Sequence, residues 1–386
     1  QHIDGTLEHL EAERLGSVYS ILKELEPHFK DRQPVKCVGI LQSDASKAIN
    51  AFPFHPDAIL RMKKHNPHTY AILGAMQLCE QAKLPYGILP EGEVSAERLA
   101  QYDMILLPEV YVLTESTASL LRKYVSGGGK LLISGKTGLW DTDFNPLNNF
   151  ILSDLMGVSF TQIHTEYAQN TWSSYIKKTP DSSFNGIFDR TTPPVSDFFI
   201  EAECTDAHPE FTFVLPCTAC SPTDWVACDA EHWVNWWSPP PGAETTHPAL
   251  TINQYGSGSV VYTAFDLFTM AAEESYRATG DLFRQITEKL NIKPVLRNIT
   301  DIPNILRTAY FEKDDCYQIH QVSLMAHQFK GDVATVSGGV ISVSTPVKEA
   351  VVIYPEHKTL PITQNGCEWL IQLPDFTIQQ FIILKK

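Results

Sequence analysis

The sequence predicts an α/β protein: a doubly wound parallel sheet with an embedded Trp-rich insertion, followed by a small antiparallel β-sandwich. Three observations lead to this fold class. Apolar strand-like runs alternate with helical patterns over residues 34–293. The alternation is interrupted by an aromatic, proline-containing stretch at about 159–248, and short strands separated by turn residues fill 294–386. At about 150 residues per domain, the 386 residues allow two to three domains.

The composition excludes several classes of protein. The chain has 30 Lys and Arg against 45 Asp and Glu, and the net charge of −15 argues against nucleic-acid or anionic-membrane partners. With 43% hydrophobic and 19% charged residues, the chain is too apolar for intrinsic disorder. It contains no apolar run long enough to span a bilayer. We therefore expect a soluble globular protein with no nucleic acid and no membrane among its partners.

Residues 1–33 are predicted to form a lead-in helix that connects to a missing upstream domain. The chain begins with Gln1 rather than Met and lacks a signal-peptide pattern. The helix is expected to end near Pro27, and its apolar stripe consists of Leu10, Leu15, Val18, Ile21 and Leu22. An ordinary N-terminal helix on a cloned domain fits the same residues.

The α/β block, residues 34–293, follows from alternating strand and helix patterns. Apolar strands are predicted at 35–42, 86–90, 104–110 and 130–134, and helices at 68–84, 95–101 and 114–125. Strands that are apolar throughout and separated by helices indicate a parallel sheet covered on both faces. After the insertion, a hairpin of 249–254 and 259–265 returns to this sheet, and a helix over 279–290 closes the block.

The loops beyond the carboxyl ends of the strands are the expected ligand-binding edge, which places it at 43–55, 109–112 and 135–143. Gly135-Lys136-Thr137 resembles the end of a phosphate-binding loop, but the glycine required five positions earlier is Lys130. No glycine cluster follows the first strand, as dinucleotide binding requires. No cysteine follows the central strands, as an amidotransferase-type nucleophile requires. The sequence therefore predicts no cofactor and no catalytic residue at this edge.

The cysteines give one weak metal pattern. Cys217, Cys220, Cys228 and His232 have the chemistry of four zinc ligands, but a ribbon-type zinc site has two short-spaced pairs and only one is present. We expect free thiols or a single disulfide, and no metal. The eight cysteines do not decide the compartment, and a bacterial cytoplasm is the favoured location.

The densest aromatic feature is the candidate substrate-binding site, formed by His232, Trp233, Trp236 and Trp237. Indole rings stack on the apolar faces of sugars, and the indole N–H adds a hydrogen bond, so an exposed cluster suits a carbohydrate or a partner protein. The alternative is a Trp-rich packing core beneath a loop, or a subunit interface. Both interpretations stay open on the sequence.

The last 93 residues, 294–386, are predicted to be a small β-sandwich. Short alternating strands are expected at 305–311, 316–326, 340–343, 349–353, 368–373 and 377–384. Turn residues fall between them, and this spacing is typical of an antiparallel sandwich.

This order of parts resembles the non-barrel C-terminal region of multidomain glycoside hydrolases with a β-galactosidase-type trimerisation domain, which is flavodoxin- and amidotransferase-like. The resemblance is strongest to bacterial α-L-fucosidases with a divergent barrel, and next to β-galactosidases. Its residues are Asp4-Gly5-Thr6-Leu7, Leu107-Pro108, 127–132, and the return strand Tyr255-Gly256-Ser257-Gly258-Ser259-Val260-Val261-Tyr262.

The resemblance implies an assembly role. In that family the reaction belongs to a preceding (β/α)8 barrel with paired carboxylates. No barrel is present here, so no catalytic residue is assigned among Glu109, Asp141, Asp143 and Glu201. The implied partners are further copies of the chain, bound through the α/β domain, the missing N-terminal barrel, and a carbohydrate ligand that the 233–237 stretch would help to bind.

Two functions therefore remain. The first is the oligomerisation and active-site-completing region of a retaining exo-glycosidase, an α-L-fucosidase or, next, a β-galactosidase. The alternative is a stand-alone carbohydrate- or partner-binding protein of the same fold without enzymatic activity. An unrecognised hydrolase of amidotransferase-like fold is a third, weaker interpretation.

The aromatic stretch separates the first two functions. Under the first, Trp233→Ala and Trp236→Ala are expected to lower glycoside hydrolysis by the parent enzyme, since stacking is worth about 1 kcal/mol or about fivefold. Under the second, they abolish sugar binding by this chain, measured by titration calorimetry. Unchanged hydrolysis and unchanged binding in both variants would leave the stretch as packing only.

Overall fold

The structure is a computed structural model that describes residues 8–49, 66–165, 173–195, 198–217, 240–274, 277–300, 306–324 and 334–386. The chain divides into two compact units. One comprises Gln1–Val35 together with Asn298–Lys386, and the other comprises Lys36–Arg297. The architecture is mixed α/β, as the sequence predicts.

The secondary-structure elements are numbered in chain order. The helices are α1 (His9–Phe29), α2 (Asp44–Ala48), α3 (Pro67–Gln81), α4 (Ala96–Leu99), α5 (Glu115–Ser126), α6 (Ser153–Met156), α7 (Leu267–Glu274) and α8 (Arg277–Lys289). The first twelve strands are β1 (Gln33–Pro34), β2 (Val38–Gln42), β3 (Tyr86–Pro90), β4 (Met104–Leu107), β5 (Lys130–Ser134), β6 (Val158–His164), β7 (Ser174–Lys178), β8 (Pro194–Val195), β9 (Phe199–Cys204), β10 (His208–Pro216), β11 (Pro241–Tyr255) and β12 (Gly258–Thr263). The remaining strands are β13 (Leu296–Asn298), β14 (Leu306–Lys313), β15 (Cys316–Ser323), β16 (Val340–Val343), β17 (Glu349–Tyr354), β18 (Lys358–Leu360), β19 (Ile362–Asn365), β20 (Glu368–Gln372) and β21 (Gln379–Lys385).

A nine-stranded sheet forms the core of the larger unit, in the order β3-β2-β4-β5-β12-β11-β10-β7-β8. The first five strands in this order run parallel to one another. Strand β12 pairs in parallel with β5, with Val260 opposite Leu131, so the hairpin does return to the first sheet. The four residues of β4 are fully buried, because helices cover both faces of a parallel sheet.

Helix α5 shows how local sequence sets an element's ends. The Thr114 hydroxyl accepts a hydrogen bond from the Thr117 N–H at 3.1 Å, which satisfies one of the free donors of the first turn. The helix ends at Gly127, and Gly128 adopts a φ of 108°, a conformation that favours glycine. The glycine run therefore ends this helix, as predicted from the sequence.

The insertion differs from its sequence-based description. Its described residues contribute β7, β8 and β10 to the main sheet as antiparallel strands, while β6 and β9 pair in a separate two-stranded sheet. Antiparallel strands need no crossover helices, which is why the helical alternation stops where the sheet in fact continues. Aromatic side chains from these strands fill the core, with Phe199, Phe211 and Phe213 fully buried.

The smaller unit is built from antiparallel strands and α1. Its strands form a six-stranded sheet in the order β1-β14-β15-β21-β17-β18, and a four-stranded sheet has the order β13-β16-β20-β19. Helix α1 packs Leu25 against Phe381, and Phe29 meets the same ring edge-on at 5.3 Å. None of the helices described is long and apolar enough to cross a membrane.

The predicted apolar stripe of α1 is only partly correct. Leu15, Val18 and Leu22 are about half exposed, at 54%, 53% and 46%. Ile21 of the predicted stripe does pack against the sheet, and it is joined there by Leu25 and Phe29 near the end of the helix. The α1 stripe, defined here as Leu15, Val18, Tyr19 and Leu22, therefore has no covering element among the described residues of its unit.

A close contact between helices α3 and α7 of the larger unit depends on Gly74. A Cβ atom at this position of α3 would lie 1.7 Å from the Phe268 carbonyl oxygen of α7, and the obstructing atom is backbone. Gly16, in the middle of α1, has nothing within 4 Å of the same ideal position. Gly74 and Gly16 thus form a matched pair of helical glycines, one required by packing and one not.

We expect Gly74→Ala to destabilise the protein by about 2 kcal/mol or more, because α3 and α7 must separate. Gly16→Ala should instead be neutral or stabilising by up to about 1 kcal/mol, through helix propensity alone. Urea denaturation followed by circular dichroism measures both changes. Equal effects of the two substitutions would contradict the close contact.

Candidate functional site

The candidate site lies at the carboxyl ends of the parallel strands, where β2 and β4 are neighbours although β3 follows β2 in the chain. At such a switch in strand order the chain leaves a crevice, which is the usual ligand site of open α/β sheets. Ser43 follows β2 directly, and Pro108 follows β4. The two meet a third residue, His68, from the first turn of α3.

His68 closes this crevice with two hydrogen bonds. Its Nδ1 lies 2.8 Å from the Pro108 carbonyl oxygen, and its Nε2 accepts the Ser43 backbone N–H at 2.9 Å. Since the Ser43 N–H can only donate, the imidazole carries its proton on Nδ1, which donates to Pro108. The ring is fully buried, and this burial lowers the pKa of His68 from 6.5 to about 4. His68 is therefore a neutral, fixed bridge between the two strand ends.

Two serines extend the closure. The Ser43 hydroxyl accepts the Ser46 N–H at 3.2 Å and caps the short helix α2. The Ser46 hydroxyl accepts the Val112 N–H at 3.1 Å. Both serine side chains are fully buried, so their hydroxyls bind backbone groups of the neighbouring loop rather than facing solvent.

Glu109 occupies the tight turn after β4. Its φ is 49°, a left-handed conformation that is uncommon outside glycine, asparagine and aspartate, and its side chain is fully buried. Its carboxyl oxygens accept the Ser134 hydroxyl at 3.3 Å and the Lys136 N–H at 3.2 Å. Burial, and next the nearby Asp266, raise the pKa of Glu109 well above its usual range. A neutral carboxyl is the form that this environment favours.

The Gly135-Lys136-Thr137 run has a structural role at this turn. A Cβ atom on Gly135 would lie 1.7 Å from the Glu109 Oε1, so only glycine allows the carboxyl to approach. The Lys136 N–H binds Glu109, and the Thr137 hydroxyl accepts the Val110 N–H at 3.1 Å. Gly135, Lys136 and Thr137 therefore each contact the turn that holds Glu109.

The buried polar side chains described at this edge are engaged in hydrogen bonds. The buried carboxyl of Glu109 accepts hydrogen bonds from two donors, and the imidazole of His68 bonds to two backbone groups. The hydroxyls of Ser43, Ser46 and Ser134 are hydrogen-bonded as well. Among the described residues, this arrangement locks the strand ends to one another.

A second polar cluster joins the insertion strands. Glu201 of β9 lies 2.7 Å from the Nε2 of His164 on β6, and 3.8 Å from the Nδ1 of His247 on β11. The His164 ring also stacks on Phe199, with centroids 4.5 Å apart and an interplanar angle of 7°. In the described part of the chain, no three or more His, Cys, Asp or Glu side chains are placed to hold a metal ion. This cluster therefore ties three strands together through one carboxylate.

The structure accounts for some of the residues selected from the sequence. Of the four acidic residues considered, Glu109 and Glu201 are committed to the networks above, and Asp141 accepts the Asp143 N–H within a surface turn. Cys217 is half-buried, and burial raises the pKa values of Cys37 and Cys79. The candidate binding residues lie outside the described residues, as do two of the cysteines: His232, Trp233, Trp236, Trp237, Cys220 and Cys228.

The described parts of the predicted loops lie at one edge of the sheet, residues 50–55 lie outside the described residues, and the sequence analysis missed His68. The predicted loops did bring Ser43, Glu109 and Gly135 to one edge of the sheet. His68 was not selected, although a signal was present. Asn66-Pro67 is an N-cap followed by a first-turn proline, and it fixes His68 in the first turn of α3.

Residues 93–197 match the family described as the β-galactosidase trimerisation domain. This segment includes β4, α5, β5 and the Glu109 turn. No curated protein sequence matches the chain.

Solved structures share the fold at low sequence identity. The α-L-fucosidase isoenzyme 2 from Paenibacillus thiaminolyticus superposes with a TM-score of 0.72 at 14% identity, covering 100% of this chain and 54% of the fucosidase. A GH42 β-galactosidase from G. stearothermophilus superposes with a TM-score of 0.63 at 14% identity, covering 100% of this chain and 45% of that enzyme. The β-galactosidase from Rahnella sp. R3 also has a TM-score of 0.63, at 15% identity, covering 97% of this chain and 44% of that enzyme.

These comparisons confirm the resemblance inferred from the sequence. The chain spans about half the length of each of these three enzymes. Residues 93–197 thus match the β-galactosidase trimerisation domain, within a chain whose fold is similar to part of an α-L-fucosidase and of GH42 β-galactosidases.

Proposed function

We propose that this chain is the non-catalytic oligomerisation and active-site-completing region of a retaining exo-glycosidase whose (β/α)8 barrel lies outside it. The observation that carries the proposal is the match of residues 93–197 to a β-galactosidase trimerisation domain. An α-L-fucosidase is the first choice for the parent enzyme and a β-galactosidase the second. The higher TM-score of the fucosidase, 0.72 against 0.63, supports this order.

The fold supports an architectural role. The parallel strands follow the order β3-β2-β4-β5-β12, the 2-1-3-4-5 order of flavodoxin-like sheets, which supports a doubly wound, amidotransferase-like domain. The two antiparallel sheets of the C-terminal strands support a small β-sandwich. The proposed organisation is a connector at 1–33, the α/β domain at 34–293 with its insertion at about 159–248, and the sandwich at 294–386.

The contacts at the carboxyl ends of the parallel strands support a structural role for this edge. Among its described residues, His68 and Glu109 are buried and hydrogen-bonded to groups of neighbouring strand ends. We propose that these contacts stabilise the α/β domain and that catalysis belongs to another part of the parent enzyme.

The α1 stripe supports a further domain. Four apolar side chains at helical spacing, each 46% to 65% exposed, form the kind of surface that packs against another domain. The missing barrel is the proposed partner. The three enzymes compared above each contain further chain, since this fold covers 44% to 54% of their lengths.

The native mass of the polypeptide in its source tests this proposal. We expect a protein larger by about 250 to 400 residues, the size of a barrel with insertions. Its activity on aryl α-L-fucosides and β-galactosides then identifies the sugar. A native mass near 43.3 kDa would favour the stand-alone binding protein instead.

The oligomeric state of this chain is the second test. We expect sedimentation equilibrium to give a mass that is a small whole-number multiple of 43.3 kDa, with three copies as the expected number. The association should depend on protein concentration. A single 43.3 kDa species at every concentration would contradict the oligomerisation role.

The structural role of the closed edge predicts a pH dependence. Folded His68 resists protonation, so its contribution to stability is present above pH 6.5 and is lost as the pH falls to about 4. Against His68→Asn, the wild type should lose about 3 kcal/mol over this range. Urea titrations at several pH values measure the difference.

Glu109 provides the control of opposite sign. Its folded pKa is raised, so its contribution is present below pH 4.5 and is lost as the pH rises towards that higher value. Glu109→Gln should therefore gain stability relative to the wild type as the pH rises above 4.5. If the free energies of unfolding of both variants and the wild type changed in parallel with pH, the shifted pKa values of His68 and Glu109 would be contradicted.

A further inference from the structure

A surface turn next to the closed edge presents an aromatic side chain on unfavourable backbone. Phe144 is 45% exposed and has a φ of 64°. Among the described residues, the other non-glycine residues with positive φ are Asp31, Lys83, Glu109, Asn291 and Asp314. For a bulky aromatic residue this conformation is a genuine outlier, and it is not offset by burial.

The turn is held rigidly by its own hydrogen bonds. The Asp141 Oδ1 accepts the N–H groups of Asp143 at 2.9 Å and Asn145 at 2.8 Å, and the Phe144 N–H donates to the Asp141 carbonyl oxygen at 3.1 Å. At its base, Trp140 meets Tyr111 edge-on at 5.5 Å. We call residues 141–145 the acidic–aromatic tip. It keeps Phe144 on the surface in a fixed direction.

Two costs therefore coincide at Phe144, backbone strain and an exposed apolar ring. Asparagine or glycine at this position would remove both. Strained residues persist at sites where the strained geometry serves a function, and an exposed aromatic residue on a rigid loop is a typical interface anchor.

A groove of complementary character lies elsewhere in the same domain. It has a volume of about 430 Å³ and lies between α4 and α5, at the amino ends of β4 and β5. Its apolar lining consists of Ala96, Ala100, Tyr102, Leu120 and Tyr124. We call it the α4–α5 groove.

The charges of the two surfaces match. Lys123 and Lys130 line the α4–α5 groove together with one acidic residue, Asp103. The tip carries Asp141 and Asp143 beside its aromatic ring. An acidic tip and a mainly basic groove favour association and fix its direction.

Symmetry explains why the two surfaces differ. A closed ring of three copies uses heterologous contacts, in which one patch of each copy meets a different patch of the next. The tip follows the carboxyl end of β5, the groove lies at the opposite end of the same strand, and both fall within residues 93–197. A head-to-tail ring requires two different, complementary surfaces at opposite ends of each copy, as the tip and the groove are.

We propose that the acidic–aromatic tip of one copy of this chain docks in the α4–α5 groove of the next copy, with Phe144 as the anchor. This inference rests on the proposed oligomerisation role and assigns its contact surfaces. The occupant of the groove is a second copy of the chain. Lys123 and Lys130 of the groove face Asp141 and Asp143 of the tip.

The test is the dissociation constant of the assembly formed by the full 386-residue chain, measured by sedimentation equilibrium. Phe144→Asn should weaken assembly at least about tenfold, as loss of an interface anchor does. Its thermal midpoint as a monomer should be equal or higher, because asparagine tolerates the left-handed turn. Leu73→Gln is the matched control, since Leu73 is 42% exposed but lies outside residues 93–197, and it should leave assembly unchanged.

A charge exchange tests the direction of docking. Lys123→Glu and Asp143→Lys should each weaken assembly by about two- to fivefold, as exposed ion pairs allow, and the double variant should recover part of the loss. A photoreactive phenylalanine analogue at position 144 should crosslink to residues 96–130 of a second copy. A crosslink to any other segment would overturn the assignment of the groove.

The outcomes separate this inference from the proposed function. An assembled wild type whose dissociation constant is unchanged by Phe144→Asn overturns the docking contact and leaves the oligomerisation role intact. A wild-type chain that stays monomeric at every concentration overturns both. Selective weakening by Phe144→Asn, with Leu73→Gln unaffected, supports the docking contact.

Discussion

One buried imidazole fastens the carboxyl ends of two neighbouring strands of the larger unit. His68 joins the end of β2, through Ser43, to the end of β4, through Pro108, where the order of the strands diverges from the order of the chain. The parallel pairing of the two strands reaches Ile40 and Leu106, and His68 and Ser46 extend the connection beyond it. At the position where open α/β sheets usually bind ligands, this unit has a neutral ring that joins two strand ends. The Glu109 turn follows β4 at the same edge.

Much of this architecture was predictable because burial on both faces leaves a strong signal. The predicted strands at 86–90 and 130–134 agree with the structure residue for residue. The reason is clearest for β5, since a strand that is buried on both faces must be apolar throughout. The insertion was less predictable. Antiparallel strands such as β7 and β10 have no helical spacer to mark them, and their partners lie far away in sequence.

Only the location of the candidate site could be predicted from the sequence. The rule that ligands bind beyond the carboxyl ends of parallel strands located the loops. It could not predict that Glu109 is buried in a left-handed turn, because this depends on Gly135, after the next strand, leaving room for the carboxyl. The packing of helix α1 was also only partly predictable. Helical spacing identified its apolar residues. Which of them face the sheet depends on Phe381 and Ile383, more than 350 positions along the chain.

The far end of the nine-stranded sheet has its own consequence. Its last strand, β8, comprises only Pro194 and Val195, and Pro193 precedes it. Proline has no backbone N–H, so Pro193 and Pro194 offer no donors to an incoming strand. These two prolines therefore oppose extension of this border by backbone pairing, which is the route by which sheets grow into fibres.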